Sequence, residues 1–292
     1  MAGYVLVTDA TVDLPQSVIE QYGIHVIPMA FDLDGKDYFH YADCREMPLS
    51  VFYDKLKQGS VSHSSQITPQ MFKDNFKPIL ESGKDIIYIG FSSGLSNTWQ
   101  NAFLTIQDLQ EKYPDRKIIG IDSLSASVGE AVLVLNAAQR MAGGMELEEL
   151  AAWVKCHRHA ARHWFTVQDL FYLKRGGRLS TAEALVGTAL KIRPVLSVDR
   201  EGKLIVCAKV RGEKKAMDFL MGKLREEGVS LSEQTAVIGH SANPGQAEAL
   251  QKMLEAEGLV KDSIISEIGP IIGTHVGPGF LALTFIGEED RD

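Results

Sequence analysis

The fold is decided by one stretch of the sequence, Asp85-Ile86-Ile87-Tyr88-Ile89-Gly90-Phe91-Ser92-Ser93-Gly94-Leu95-Ser96-Asn97-Thr98-Trp99-Gln100. Its apolar start predicts a buried strand, its glycines and serines predict a turn, and the residues from Ser96 onward predict a helix. A strand followed at once by a helix is typical of parallel α/β sheets, whose ligands bind at the carboxyl ends of the strands. The stretch therefore predicts an α/β fold with a candidate ligand site at the serine-rich turn.

The same order of strand and helix recurs along the first half of the chain. The predicted strands are Tyr4–Thr8, His25–Phe31, Asp85–Gly90 and Lys117–Asp122. The predicted helices are Pro15–Tyr22, Leu49–Gln58, Thr68–Ser82, Ser96–Lys112 and Ser127–Ala142, and residues 32–47 predict a loop or small hairpin. This order favours a parallel, Rossmann-like sheet with helices on both faces. The turns at Thr8, Ser92 and Ser123 would then lie at one edge of the sheet and line one crevice.

The pattern changes after residue 143. The predicted helices are Glu146–His163, Thr181–Leu190, Gly212–Glu227 and Pro244–Glu257. The predicted strands are Trp164–Val167, a hairpin of Pro194–Val198 with Leu204–Val210, Thr235–His240, Ile264–Ile268 and Leu281–Ile286. Strands in hairpin order mixed with helices predict a mixed-sheet α+β domain. We therefore expect an N-terminal α/β domain over residues 1–160 and a C-terminal α+β domain over residues 161–292.

Composition narrows the class of protein. The chain has 292 residues, of which 45% are hydrophobic and 23% charged, as is ordinary for a globular protein. Its apolar runs are too short for a membrane helix of roughly 20 residues and its start predicts a strand, so we expect a cytoplasmic protein without integral membrane insertion. Three widely spaced cysteines, Cys44, Cys156 and Cys207, predict neither a disulfide framework nor a metal site.

Positive charge is concentrated in one segment. Residues 155–215 contain fourteen Lys and Arg against five Asp and Glu, although the whole chain carries a net charge of −8. Such a segment is either a solvated face or a docking surface for an acidic partner or a phosphate. Nucleic acid is not expected, because no nucleic-acid-binding motif accompanies the basic residues.

The serine-rich turn has two interpretations. The pattern Gly90-x-Ser92-x-Gly94 matches the nucleophile elbow of an α/β-hydrolase, and an acid and a histidine follow Ser92 in the required order. The alternative function is therefore a serine esterase or lipase-like hydrolase that uses Ser92. However, the His-Gly-Gly-Gly oxyanion motif is absent, and three hydroxyls lie where one nucleophile would suffice. The other interpretation is a turn that holds a bound anion with hydroxyl and N–H groups.

Other enzyme signatures are missing from the sequence. Neither the phosphate-binding loop of nucleotide hydrolases nor the glycine fingerprint of dinucleotide enzymes occurs, so we expect no cofactor. The nearest candidate for a phosphate cradle is a glycine-rich turn over residues 268–279, in which His275 is the one ionisable side chain.

Motifs along the whole chain resemble those of the bacterial DegV family. They are Thr8-Asp9-Ala10-Thr11-Val12-Asp13-Leu14, Ser64-Ser65-Gln66, Ser92-Ser93-Gly94-Leu95-Ser96-Asn97-Thr98, Asp122-Ser123, Tyr172-Leu173-Lys174-Arg175-Gly176-Gly177-Arg178 and the turn Gly269–Gly279. The resemblance implies a two-domain protein that binds a long-chain, palmitate-like fatty acid between its domains and is not itself an enzyme. It also implies a partner, an ATP-dependent fatty acid kinase subunit that makes the acyl phosphate for phospholipid synthesis.

The resemblance also implies which residues bind the ligand. The fatty acid carboxylate would be held by Ser64, Ser93 and His275, with secondary contacts from Ser92, Ser65 and Thr274. Charge-assisted hydrogen bonds of this kind offset the cost of removing a carboxylate from water. In the basic segment, the side chains expected to dock the kinase are Lys174, Arg175, Arg178 and Arg211.

Overall fold

The computed structural model of the chain describes residues 3–180 and 192–289. Its strands are β1 (Tyr4–Asp9), β2 (His25–Ile27), β3 (Met29–Leu33), β4 (Lys36–His40), β5 (Ser62–Ser64), β6 (Asp85–Gly90), β7 (Ile118–Asp122), β8 (Ala161–Thr166), β9 (Ile192–Val198), β10 (Leu204–Arg211), β11 (Thr235–His240), β12 (Asp262–Glu267) and β13 (Leu281–Ile286). Its helices are α1 (Gln16–Tyr22), α2 (Leu49–Lys57), α3 (Pro69–Glu81), α4 (Thr98–Lys112), α5 (Val128–Ala142), α6 (Leu147–His157), α7 (Phe171–Arg175), α8 (Glu213–Glu227), α9 (Pro244–Glu257) and α10 (Pro270–Val276). The predicted helix Thr181–Leu190 lies outside the described residues.

The first sheet is parallel, as the sequence predicts. Its four strands have the order β2-β1-β6-β7, and every neighbouring pair is parallel. The central strands β1 and β6 are almost continuously buried because helices cover the sheet. The carboxyl ends of β1, β6 and β7 bring the Asp9, Phe91 and Ser123 turns to one edge.

The predicted strand His25–Phe31 is wrong as a single element, because the chain leaves the first sheet at Pro28. Proline has no N–H group for a ladder hydrogen bond, so β2 ends at Ile27 and β3 begins at Met29 in another sheet. This three-stranded sheet has the order β4-β3-β5. The predicted loop or hairpin over 32–47 contains the β3–β4 hairpin, and β5 brings Ser64 opposite Phe31.

The third sheet is mixed and has the order β10-β9-β8-β13-β11-β12. All neighbouring pairs are antiparallel except β11 with β12. The predicted helix Glu146–His163 is too long: α6 ends at His157, and β8 begins at Ala161 to pair with Ile286 of β13. The prediction of a mixed sheet with helices in the second half of the chain is confirmed.

The glycine-rich segment 268–279 is also different from its prediction. It contains α10 instead of an open turn. Gly273 lies inside this helix, where a Cβ would come within 2.6 Å of the Tyr53 hydroxyl. This glycine therefore serves close packing of α10 on the first half of the chain, which outweighs its poor helix propensity.

Helix α5 lies between the first and third sheets. Its residues are mostly buried, and it contacts β8, β11 and β13 as well as the turn after β1. At Gly129 a Cβ would overlap the His163 ring of β8, so only glycine allows the observed approach.

No helix in the described part of the chain is long and apolar enough to cross a bilayer.

We expect Gly129→Ala to destabilise the fold by about 1–3 kcal/mol, because the added methyl group overlaps a buried ring in a packed region. The measurement is urea unfolding followed by circular dichroism. Gly222→Ala is the matched control, since Gly222 lies in α8 and a Cβ there would meet nothing within 4 Å, and we expect it to stabilise by about 0.5–1 kcal/mol. Equal stabilities for the two variants would contradict the close-approach argument.

Candidate functional site

A cavity of about 320 Å³ lies between the first and third sheets. This volume is at the lower end of the roughly 300–1,000 Å³ usual for small-molecule sites. Most of its wall is aliphatic or aromatic and comes from the three-stranded sheet, from the third sheet, from the turns after β1 and β6 of the first sheet, and from α5 and α10. The apolar wall residues include Met29, Phe91, Leu95, Val128, Phe165, Leu173, Val198, Leu204, Ile271, Ile272, Val276, Phe280 and Ala282.

Several polar side chains line the cavity, and the group formed by Ser64, His275 and Arg178 is called its polar end. The Ser64 hydroxyl of β5 lies 2.8 Å from Nε2 of His275 in α10, so a hydrogen bond joins residues 211 positions apart. Both side chains line the cavity. Two of the three predicted carboxylate ligands are therefore neighbours in the structure.

His275 is neutral at physiological pH. Its pKa falls from the ordinary value of 6.5 to about 4, chiefly because burial disfavours the charged ring and then because Arg178 and Arg175 are positive. Its Nδ1 atom is buried and has no hydrogen-bond partner among the described residues. The imidazole is therefore a neutral hydrogen-bonding group, not a resident cation.

Gly176 has no side chain and therefore leaves room for the His275 ring. A Cβ at Gly176 would overlap Nδ1 of His275, so the segment after α7 approaches the ring closely only because residue 176 is glycine. Within the motif Arg175-Gly176-Gly177-Arg178, Gly176 thus packs against His275 and Arg178 lines the cavity.

Arg178 faces the cavity. Its side chain is half-buried, and its Nε atom donates a hydrogen bond of 3.0 Å to the Leu95 carbonyl oxygen. From sequence Arg178 is expected to dock a partner, with no connection to the ligand. Gly176, two residues before Arg178 in the same motif, could have indicated this position. Its close approach to His275 brings the whole turn to the cavity.

The structure does not bring Ser93 into the cavity. Ser93 is exposed, and its N–H donates to Oδ1 of Asp122 at 3.1 Å. Ser96 and Asn97, three and four residues later, line the cavity instead. The turn thus contributes Ser96 to the cavity wall, whereas the predicted ligand Ser93 faces solvent.

Ser92 links the turn after β6 of the first sheet to the β9–β10 turn of the third sheet. It is fully buried, and its Oγ atom donates to the Gly202 carbonyl oxygen at 2.8 Å in the β9–β10 turn. The Gly94 N–H donates to the same hydroxyl oxygen at 3.1 Å. Among the described residues no histidine hydrogen-bonds to Ser92, so the described geometry gives it no general base and does not favour the hydrolase interpretation.

Of the two other predicted secondary contacts, one lines the cavity and one does not. Ser65 lines the cavity next to Ser64. Thr274 is a buried residue of α10, and its hydroxyl bonds to the Pro270 carbonyl oxygen and to the Ser62 hydroxyl, both at 2.7 Å. Thr274 therefore supports the helix and does not reach the cavity.

The remaining basic candidates lie at the surface. Arg175 is exposed and stacks over the Tyr172 ring at 4.8 Å, and the Lys174 ammonium lies 5.5 Å from the Phe171 ring centre. Arg211 is exposed at the end of edge strand β10. Lys174 and Arg175 share α7, which is next to the polar end of the cavity.

The low pKa of His275 predicts a specific dependence of stability on pH. The unfolded chain takes up a proton near pH 6.5 and the folded chain only near pH 4, so the contribution of His275 is complete above 6.5 and is lost as pH falls towards 4. We expect wild type to lose about 3 kcal/mol more than His275→Gln over this interval. Denaturant unfolding of both proteins at several pH values measures the difference, and parallel curves would contradict the assignment.

Comparison with known proteins agrees with this fold. A family model described as "Uncharacterised protein, DegV family" matches residues 4–288. A DegV domain-containing protein of Clostridium perfringens is 36% identical over 288 residues, which are 99% of both chains. A fatty acid-binding DegV family protein from Thermus thermophilus superposes with a TM-score of 0.87 at 30% identity, with coverage of 97% of this chain and 99% of that one. DegV from Bacillus subtilis, also a fatty acid-binding protein, has a TM-score of 0.85 at 26% identity, with coverage of 99% and 100%. The chain therefore belongs to the DegV family.

Proposed function

We propose that this protein binds a long-chain, palmitate-like fatty acid in the cavity between its sheets, in the cytoplasm. The observation that carries the proposal is a largely apolar cavity with one polar end, where Ser64, His275 and Arg178 meet. This distribution matches an amphiphile with a small anionic head and an apolar tail. The fatty acid-binding structural neighbours support the same ligand class.

The carboxylate binds at the polar end. If Nε2 of His275 carries the ring proton, it donates to Ser64 Oγ and leaves the serine O–H free to donate to the ligand. Arg178 supplies the positive charge that neutral His275 lacks, and Ser65 and Ser96 lie on the same wall. Ser64 and His275 remain from the predicted ligand set, whereas Ser96 takes the place of Ser93.

The acyl chain supplies most of the affinity. At about 0.8 kcal/mol per buried CH₂, a palmitate tail contributes roughly 10 kcal/mol before ordering costs are subtracted. Binding of this kind needs no reactive side chain. The protein is thus a carrier whose two parts, residues 1–160 and 161–292, enclose the ligand.

The carrier presents its fatty acid to a separate ATP-dependent kinase that forms the acyl phosphate. One observation supports this step. The surface cations of α7 lie beside the polar end, where the carboxylate is expected, and positive charge attracts an acidic partner surface.

Palmitate titration tests the binding proposal. We expect wild type to bind palmitate and Ser64→Ala to bind it roughly 10–100-fold more weakly, because a hydrogen bond to a charged group is worth about 1.5–3 kcal/mol. Ser93→Ala is the matched control and should retain wild-type affinity, since its side chain is exposed. Loss of binding in Ser93→Ala with none in Ser64→Ala would reverse the assignment, and a folded wild type that binds no fatty acid would refute the function.

Phosphorylation of bound palmitate by a bacterial fatty acid kinase and ATP tests the presentation step. We expect Arg175→Glu to lower the rate at limiting carrier by roughly tenfold at low salt, with a smaller effect at high salt. Lys252→Glu on the exposed face of α9 makes the same charge change away from the cavity and should leave the rate unchanged. Equal rates for Arg175→Glu and wild type, with palmitate bound in both, would exclude α7 as the docking surface.

A further inference from the structure

A second cavity, of about 190 Å³, lies where the turn after β1 meets α1, the end of β4 and the end of β12. Its titratable side chains are Asp13, His40, Cys44 and Glu267, and none of the described residues in its wall is Lys or Arg. We call it the acidic cavity. It shares no wall residue with the cavity proposed for the fatty acid.

The His40 imidazole faces the acidic cavity without a partner. The residue is 6% exposed, and no hydrogen bond joins its ring nitrogens to a described residue. Burial lowers the pKa of His40 to about 4, so the ring is neutral and one of its nitrogens is an acceptor. Because buried polar groups are nearly always hydrogen-bonded, this ring indicates an occupant that donates to it.

The Asp13 carboxylate is a second acceptor beside the same glycine. Its Oδ1 atom accepts from the Gly269 N–H at 2.8 Å, and a Cβ at Gly269 would come within 2.1 Å of Nε2 of His40. The other oxygen accepts from the Ser127 hydroxyl at 2.6 Å. A carboxylate has about four lone-pair sites, so two bonds leave acceptor capacity on Asp13. The acceptors of Asp13 and His40 therefore meet at Gly269.

The electrostatic field in the acidic cavity is negative. The pKa of the Cys44 thiol is raised to about 11, first by burial and then by nearby carboxylates. These carboxylates are those of Asp13, Asp43 and Glu267. Asp43 is exposed and pairs with Arg45 at 2.9 Å, whereas Asp13 and Glu267 belong to the cavity wall. A cavity with two acids and no cation in its described wall attracts a positive ligand.

Glu267 lies at the rim, since its side chain is 34% exposed. The ion-pair candidate described for it is His240, whose Nδ1 atom is 4.0 Å away. Burial lowers the pKa of His240, so this ring is neutral at physiological pH and does not compensate the acid. A charged ligand can therefore reach the cavity past an acid that attracts it.

The rest of the wall determines the class of cation. The described residues contain no group of three or more His, Cys, Asp or Glu side chains that could hold a metal ion. The aliphatic part of the wall consists of Ala10, Val12, Leu14, Pro15, Ile19, Val26, Ala42, Leu49 and Ile265. The volume equals that of about six water molecules at roughly 30 Å³ each. These features favour a small organic cation with N–H donors and a short apolar chain.

We propose that the acidic cavity binds a short primary alkylammonium ion, which donates to Asp13 and His40 and places its alkyl chain against the aliphatic wall. A primary ammonium group has three N–H donors, and bonds from it to a carboxylate are charge-assisted. The site does not depend on the proposed fatty acid binding, because the two cavities have separate walls.

Titration of the whole protein with butylammonium at neutral pH, followed by amide NMR, tests the proposal. We expect binding in the millimolar range or tighter and a shift of the Gly269 amide, which donates to Asp13. The Gly222 amide in α8 is the internal reference and should not shift. Butan-1-ol has the same chain without the charge, and tetramethylammonium has the charge without N–H donors, so neither should bind.

Three variants locate the recognition. Asp13→Asn should weaken butylammonium binding by roughly tenfold or more, because charge-assisted hydrogen bonds are about twice as strong as neutral ones. Glu267→Gln removes the rim charge and should weaken binding in the same direction. Glu111→Gln is the matched control, since Glu111 is exposed on α4, which contributes no residue to the acidic cavity, and its affinity should equal that of wild type.

The proposal is overturned if folded wild type does not bind butylammonium or binds butan-1-ol equally well. Unchanged butylammonium affinity in folded Asp13→Asn also overturns it. If Asp13→Asn does not fold, the partly exposed Glu267→Gln decides, and an affinity equal to that of Glu111→Gln refutes the site.

Discussion

Burial of one helix between two sheets is the constraint on which the structure depends. A helix covered on both sides must be apolar all round, and any polar side chain in it must find partners within the protein. Among the buried residues of α5 the charged exception is Glu130, which is fully buried and whose pKa is raised well above its ordinary value, chiefly by burial. The Thr11 hydroxyl contacts Asp9 at 2.5 Å and Glu130 at 2.9 Å, and one hydroxyl hydrogen cannot serve both. The two carboxyl groups thus share the single Thr11 hydroxyl hydrogen, and the raised pKa of Glu130 favours its protonated form in this pair.

This proton arrangement connects the first motif with the ligand cavity. Asp13, the second-last residue of the same motif, lies in the left-handed region with φ of 48°. Its carboxylate oxygens accept from Ser127, just before α5, at 2.6 Å, and from the Gly269 N–H, just before α10, at 2.8 Å. Burial raises the pKa of Asp13 to about 8. The motif near residue 10 therefore positions two helices that line the cavity, although among its own residues only Thr11 reaches the cavity wall.

Local pattern predicted most of the fold and only part of the site. Periodicity and turn residues are local, so β1, β6 and the hairpin of β9 with β10 were predictable from sequence. The helix α10 was not, because Gly273 lowers local helix propensity and only contact with Tyr53 shows why it is needed. In the site, family motifs indicated Ser64 and His275, but the choice between Ser93 and Ser96 depends on the path of one turn. That path is set by Ser92, whose hydroxyl bonds to Gly202, 110 residues away.

The charges of the basic segment also show that a pattern along the sequence does not determine the surroundings of a side chain in the fold. Counted along the sequence, residues 155–215 form one cationic block, yet the fold distributes its charges among different surroundings. Arg162 pairs with Glu227 at 3.2 Å and Arg193 with Glu213 at 2.8 Å, so acidic residues of α8 compensate cations of the third sheet. Arg178 turns towards the cavity, where its charge lowers the pKa of His275. A cation beside a neutral imidazole leaves a net positive field at the polar end of the cavity, which suits the carboxylate of the proposed fatty acid ligand.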